Sequence, residues 1–465
     1  MVLSNRPGDL HRRPDTNTRP TTGPFRQSDD SRQNNSRSEV SFVLQREVQR
    51  QIVPELENHK VDLSKPQTQQ VQTLVEKIIV QLIEVEAGKQ HLSLSRAESK
   101  TLFESCIDEI YGHGPIEPLL KDETITEIMV NGPHDVRVEQ HGLVVQTAIK
   151  FQDNDHVMRI LTRIAGRSGR RIDESQPMVD TRLPDGSRVN AIIPPLSLNG
   201  PVITIRKFAK RPFKPEDLVQ RGAITTDVLQ FLEAAVKSGL NIIVSGGTNS
   251  GKTTLLNVLS VYIPVNERII TIEDSAELQL QQGHVIRLES RPESIEKKNS
   301  VTIRELLVNT LRMRPDRIII GECRGAEALD MLQALNTGHD GSMTTLHANN
   351  PRDALKRLEV LVLHGADLPL VAIREQIASA INLIVHTSHL EDGSRCIVAV
   401  SEVHRGTGDR IEVDDIFEYD RTLPSVLPNK MGRLRATGIT PRCIDLLESK
   451  GHHLPPTLFR RHPMK

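Results

Sequence analysis

The stretch "NIIVSGGTNSGKTTLLNVLSVYI", residues 241–263, constrains this chain more than any other. An aliphatic run ends in glycines, and an apolar helix pattern begins straight after a Gly-Lys-Thr. Within it "GGTNSGKT" matches G-x-x-x-x-G-K-S/T, the pattern whose glycines let backbone N–H groups close around phosphate oxygens at a helix N-terminus. Gly246, Gly247, Thr248, Asn249, Ser250, Gly251, Lys252, Thr253 and Thr254 are therefore the candidate nucleotide-binding residues. Lys252 is placed to reach the outer phosphates, and the Thr253 hydroxyl to ligate Mg2+.

A strand that enters such a loop belongs to a parallel sheet, and the surrounding sequence agrees. "TTDVLQFLEAAVKSG", "RIITIED", "VTIRELLVNTLRM", "RIIIGE" and "AEALDMLQALNTG" alternate amphipathic helices with continuous aliphatic strands, which predicts an α/β layer covered on both faces. Composition supports this: aromatics are 3% of the 465 residues and Trp is absent, so the core must be aliphatic. Upstream, "EIMV", "DVRVEQ", "LVVQTAIKF", "SRVNAIIPP" and "PVITIRKF" alternate as short strands, with His141-Gly142 as a hairpin turn and a helix from about residue 153. Farther upstream, Val71, Leu74, Val75, Ile78, Ile79 and Leu82 share one helical face.

These patterns divide the chain into a disordered, polar tail (1–40), a helical unit (41–112), a mixed α/β domain (113–208), a Pro- and charge-rich linker (209–222), a nucleotide-binding domain (223–420) and a peripheral tail (421–465). The formal charge of −1 and a pI near 7.0 give no global attraction to nucleic acid or anionic lipid. The four cysteines lie far apart, which supports neither a disulfide framework nor a zinc site and favours a reducing compartment. No apolar run reaches 18 residues and the N-terminus has no signal-peptide h-region, so the expectation is a chain that does not span a membrane.

Downstream of the loop, two strands end in carboxylates. "RIITIEDSAEL" places Glu273 and Asp274 where a parallel sheet opens onto its ligand crevice. Glu273 suits metal or water work; Asp274 and Glu277 suit it too, or else a capping box for a following helix. "RIIIGE" places Glu322 at an equivalent strand end, either to polarise an attacking water or merely to open the next helix. Cys323 reads as a small core residue. In "GHDGSMTTLHAN", His339 and His347 flank a short strand without the partners a zinc site needs, leaving a γ-phosphate sensor or a structural role. Phosphoryl transfer also calls for arginine; Arg182, Arg188 and Arg206 alternate with apolar residues upstream, although each alone reads as a surface charge.

The ordered set "GGTNSGKTT", "IEDSAEL" and "LRMRPDRIIIGECRGAEALDMLQALNTGHDGSMTTLHANNPRDALKRLE" resembles the secretion-superfamily ATPases of type II and type IV secretion, pilus assembly and conjugation. "GRRIDESQPMVDTRLPDGSRVNAIIPP" and "ITIRKF" narrow the resemblance to the tight-adherence (Flp) pilus branch, the CpaF/TadA-like ATPases, over roughly residues 95–420. The resemblance implies a RecA-like motor preceded by a PAS-like domain, with ATP and Mg2+ between them in a homohexamer. By the same resemblance Glu322 is the catalytic glutamate, Glu273 falls in the acidic box, His339 and His347 form the histidine box, and Arg188 and Arg206, with Arg182 as a further candidate, reach the γ-phosphate. The implied setting is the cytoplasmic face of the inner membrane, against a platform protein and without stable nucleic-acid binding. Conjugation-type translocation of DNA or effectors is the alternative.

Overall fold

A computed structural model describes residues 43–461 apart from 53, 57, 60, 62–67, 209–210, 292–299, 426 and 428–430. The expected tail 1–40 lies outside the described residues. The chain divides into two compact units, Met1–Pro118 with Lys150–Gln152, and Leu119–Ile149 with Asp153–Lys465.

The first unit is helical. Residues 43–52 and the helices Gln69–Lys89 and Arg96–Ile110 bury Leu44, Val48, Val75, Ile79, Leu102 and Cys106 together. The predicted stripe is recovered: Val75, Ile78 and Ile79 are buried, and Val71, Leu74 and Leu82 pack around them. Helix Arg96–Ile110 starts at a capping box in which Ser95 and Glu98 satisfy each other's backbone N–H groups.

The second unit holds two sheets. Strands β1 (Ile125–Asn131), β2 (Val136–Gln140), β3 (Leu143–Gln146), β4 (Met178–Arg182), β5 (Arg188–Ile192) and β6 (Val202–Arg206) pair antiparallel in the order β3-β2-β1-β6-β5-β4. His141 and Gly142, both at positive φ, close β2 on β3 as the two-residue hairpin their sequence predicts. Alternate residues Ile128, Val138, Val189 and Ile205 are buried on one face. On the other face the pairing sets Glu139 opposite Glu127, Glu127 opposite Arg206, Arg206 opposite Arg188, and Arg188 opposite Arg182. Directly paired residues share a face. Five charged side chains thus stand in one row across the sheet.

The larger sheet is ordered β15-β14-β13-β12-β7-β11-β10-β8-β9. Its strands are β7 (Ile242–Gly246), β8 (Ile269–Glu273), β9 (Val285–Glu289), β10 (Arg317–Ile320), β11 (Met343–His347), β12 (Leu383–His389), β13 (Arg395–Arg405), β14 (Ile411–Pro424) and β15 (Met431–Ala436). The six strands from β9 to β12 are parallel, as their continuous aliphatic runs require; β13, β14 and β15 extend the sheet antiparallel. Ile242 and Val244 enter one core and Ile243 the other, so both faces are covered.

The segment beyond residue 420, read from sequence as peripheral, is not. It supplies β15, and Leu447, Leu458 and Phe459 enter the core, where the Phe459 ring lies edge-on to Phe231 at 5.6 Å. Its prolines and basic end disguise these apolar anchors. Within the predicted linker, Pro215–Gln220 is a short helix whose Leu218 is buried.

Candidate nucleotide site

The phosphate loop joins β7 to the helix Lys252–Ser260. Asn249 and Gly251 take positive φ (58° and 92°), turning the backbone so that the helix N-terminus opens onto the loop. From below, β12 braces it: Ser250 Oγ pairs with Thr387 Oγ1 at 2.9 Å, and Ser245 Oγ with His386 Nδ1 at 2.9 Å. A Cβ on Gly246 would meet the Thr387 carbonyl oxygen at 2.5 Å, so only glycine passes there. Lys252 Nζ donates to the Gly247 carbonyl at 2.7 Å. Burial lowers its pKa to about 8, the nearby Glu322 charge opposing and the Arg206 and Arg324 charges adding.

His347 closes one side of this site. Its Nδ1 lies 3.5 Å from Lys252 Nζ and its Nε2 3.2 Å from Glu322 Oε1. An ammonium can only donate, so Nδ1 accepts and the proton sits on Nε2, facing the carboxylate. Desolvation and the Lys252 charge hold the His347 pKa below its usual value, consistent with a neutral ring. Glu322 Oε2 accepts from Arg324 at 2.6 Å, and Arg324 also reaches Asp274 at 3.6 Å. Glu322 does not open the following helix: the backbone N–H groups of Arg324 and Gly325 donate to Glu327 Oε1 instead. Cys323 is buried, as expected of a core residue, and burial pushes its thiol pKa well up.

Glu273 is buried at the end of β8, next to β10. Its Oε2 accepts from the backbone N–H of Glu277 at 2.7 Å and of Leu278 at 2.9 Å, and its Oε1 is buried without a hydrogen-bond partner. Desolvation raises its pKa, the two backbone bonds partly offsetting this. No helix follows, so the capping-box alternative for Asp274 and Glu277 falls away. Gly321 makes the arrangement possible: a Cβ there would lie 2.8 Å from Glu273 Cγ. The unpartnered Oε1 and the hydroxyl of Thr253, in the first turn of the loop helix, are hard oxygen donors of the kind magnesium takes, directly or through water. These residues fit the metal that the loop implies.

The charged row of the smaller sheet meets this site. Arg188 bonds Glu277 Oε1 at 2.5 Å, Arg182 bonds Ser275 Oγ and lies 3.0 Å from Glu289, and Arg206 acts on the Lys252 charge. Arg188, Arg206, Thr253, Thr254 and Glu277 line one cleft. At the other end of the row, Glu139 accepts from Asn249 Nδ2 at 2.8 Å and pairs with Arg395.

His339 is the exception among the predicted residues. It precedes β11 at the amino end of that strand, its Nδ1 near the Ala334 carbonyl at 3.1 Å, while His347 occupies the carboxyl end beside the loop. At about 3.3 Å per residue the strand separates the two rings across the sheet. Of the two histidines expected near the phosphates, only His347 is brought beside the loop lysine; His339 is not. Sequence reading missed Arg324, Glu139, Arg395 and the β12 brace; only Arg324, two residues after Glu322, carried a local signal.

A family model described as "Type II/IV secretion system protein" matches residues 109–404. The chain belongs to that family. A putative conjugal transfer protein of Mycobacterium tuberculosis is 35% identical over 319 residues, covering 67% of this chain and 90% of the relative. The type IV secretion system protein VirB11 of Bartonella quintana is 33% identical over 317 residues, 60% of this chain and 88% of the relative. Among solved structures, the VirB11 ATPase of the Brucella suis type IV secretion system, in complex with sulphate, is 32% identical over 62% of this chain and 92% of that one, with a TM-score of 0.35. Among the described residues no helix is long and apolar enough to cross a membrane.

Proposed function

We propose that this chain is an ATP hydrolase that works as a secretion motor, assembled as a homohexamer at the cytoplasmic face of the inner membrane and pushing on a platform protein for pilus assembly or secretion. The observation that supports this is the line Lys252–His347–Glu322, in which a carboxylate suited to act as general base lies near the lysine of a phosphate loop. Lys252 and the loop N–H groups hold the phosphates. Glu322, freed from Arg324, takes the proton of the attacking water, and the neutral His347 orients that carboxylate. Arg188 and Arg206 meet charge that builds on the transferred group. Magnesium, held by Thr253 and through water by Glu273, would supply further charge neutralisation. Domain closure on ATP and reopening after hydrolysis, taken up by residues 209–222, is the mechanical step. The flanking domains 113–208 and 223–420, and the tight-adherence branch, belong to the same reading.

Steady-state phosphate release from ATP tests the reading, with Lys252→Ala expected to abolish it. The names of the conjugal-transfer relatives favour a second reading, transport of DNA or effectors. Stimulation of hydrolysis by single-stranded DNA, or copurification with DNA-processing proteins, would support that one. Copurification with pilin-platform proteins supports the first.

A pH dependence follows from Lys252. Its pKa falls from the ordinary 10.5 to about 8, so it carries its charge below that value and loses it as the pH rises through it. ATP affinity, measured by titration calorimetry, should fall between pH 7.5 and 9.5, in steps approaching tenfold per unit above about 8 for a one-proton linkage. Flat affinity across that range would contradict it.

A further inference from the structure

We propose that Glu139 is a positioning residue for the phosphate loop, holding Asn249 from the smaller sheet so that loop geometry depends on how that sheet is docked. The proposal rests on the ATP reading above and deepens it. Four observations carry it. Glu139 is 5% exposed, though glutamate rarely goes below the surface without partners, and both its oxygens are engaged: Oε2 by Asn249 Nδ2 at 2.8 Å, Oε1 by Arg395. Asn249 is a non-glycine residue at φ 58° in the middle of the loop, a conformation that needs support.

The loop's other side-chain ties run to β12 below it, to His347 of β11 and to its own carbonyls, so among the described residues the bond to Glu139 is the side-chain tie from the smaller sheet. Last, the same hairpin approaches the larger sheet closely: a Cβ on Gly142 would meet the Gly393 carbonyl oxygen at 2.5 Å, so the β2–β3 turn lies against the turn between β12 and β13 that precedes Arg395. Glu139 also ends the charged row whose other members include Arg206, so one register sets both the loop support and the arginine.

The chemistry at stake is orientation. With Asn249 held, the loop N–H groups are arranged before nucleotide arrives; with it released, binding must order them. Loss should therefore appear in the KM for ATP rather than in kcat.

The test is a double-mutant cycle in the full chain, reading KM and kcat for ATP together with the melting temperature. Asn249→Asp sets two carboxylates face to face and should raise KM about tenfold with kcat within about twofold; adding Glu139→Gln reverses the hydrogen bond and should bring KM back to within about threefold of wild type. Glu139→Ala should raise KM without lowering kcat, at temperatures well below its melting point. Effects that simply multiply in the cycle, or a KM that follows melting temperature alone, would overturn the proposal while leaving the ATP reading intact. Hydrolysis that survives Lys252→Ala would overturn the ATP reading itself, and this proposal with it.

Discussion

Glu322→Gln should bind ATP with near-normal affinity and hydrolyse it 10²- to 10⁴-fold more slowly, roughly the range removed with a general base. The amide keeps the shape and its one oxygen can still accept from Arg324 or from His347, but it cannot take a proton. The geometry makes the prediction sharp, because the two other roles open to this carboxylate are filled elsewhere. Helix opening is done by Glu327, and the orphaned oxygen suited to metal-bound water belongs to Glu273. Single-turnover hydrolysis with a parallel binding measurement separates the steps, and turnover near wild type would remove Glu322 from the base role.

Arg206→Ala should spare ATP binding and cut kcat on the order of 10²- to 10³-fold, toward the lower end of what a transition-state arginine supplies. Arg206 is exposed, sits in register between Glu127 and Arg188, and lies within Coulombic reach of Lys252. Unlike Arg188, which is bonded to Glu277, among the described residues it has no carboxylate on the larger sheet's side of the cleft to leave before acting. Arg188→Ala should therefore fall in the same direction with a smaller effect. Unchanged kcat in Arg206→Ala would return that residue to the surface-charge reading.

What could be read from the sequence follows a physical line. The phosphate loop, the parallel aliphatic strands, the helical stripe from Val71 to Leu82 and the 141–142 hairpin are local patterns, each fixed within about twenty residues. The position of Glu322 was legible because it lies two residues after a strand of known direction. The cross-strand row was not, because it joins residue 139 to 206 through pairings that no single window contains. Nor could the contact of Glu139 with Asn249, 110 positions apart, be read. The Asp274–Glu277 spacing misled for a complementary reason: the N–H groups that a cap would have served are taken by Glu273 from inside the sheet. His339 and His347 looked equivalent in sequence, and only the direction of β11 separates them. The last forty residues hid their anchors because Leu434, Ala436, Leu447, Leu454, Leu458 and Phe459 are scattered among prolines and arginines and make no sustained periodic signal.

The charged row sets a rule for which length changes this fold can absorb. Side chains alternate with a period of two, so one residue inserted within β5 or β6 would turn Arg188 or Arg206 into the apolar layer and bring a hydrophobic neighbour to the nucleotide. The same residue added to the 183–187 turn would leave both in place. Relatives of this chain should therefore differ in length at its turns and keep their spacing fixed within these short strands, even where the residues between the arginines change.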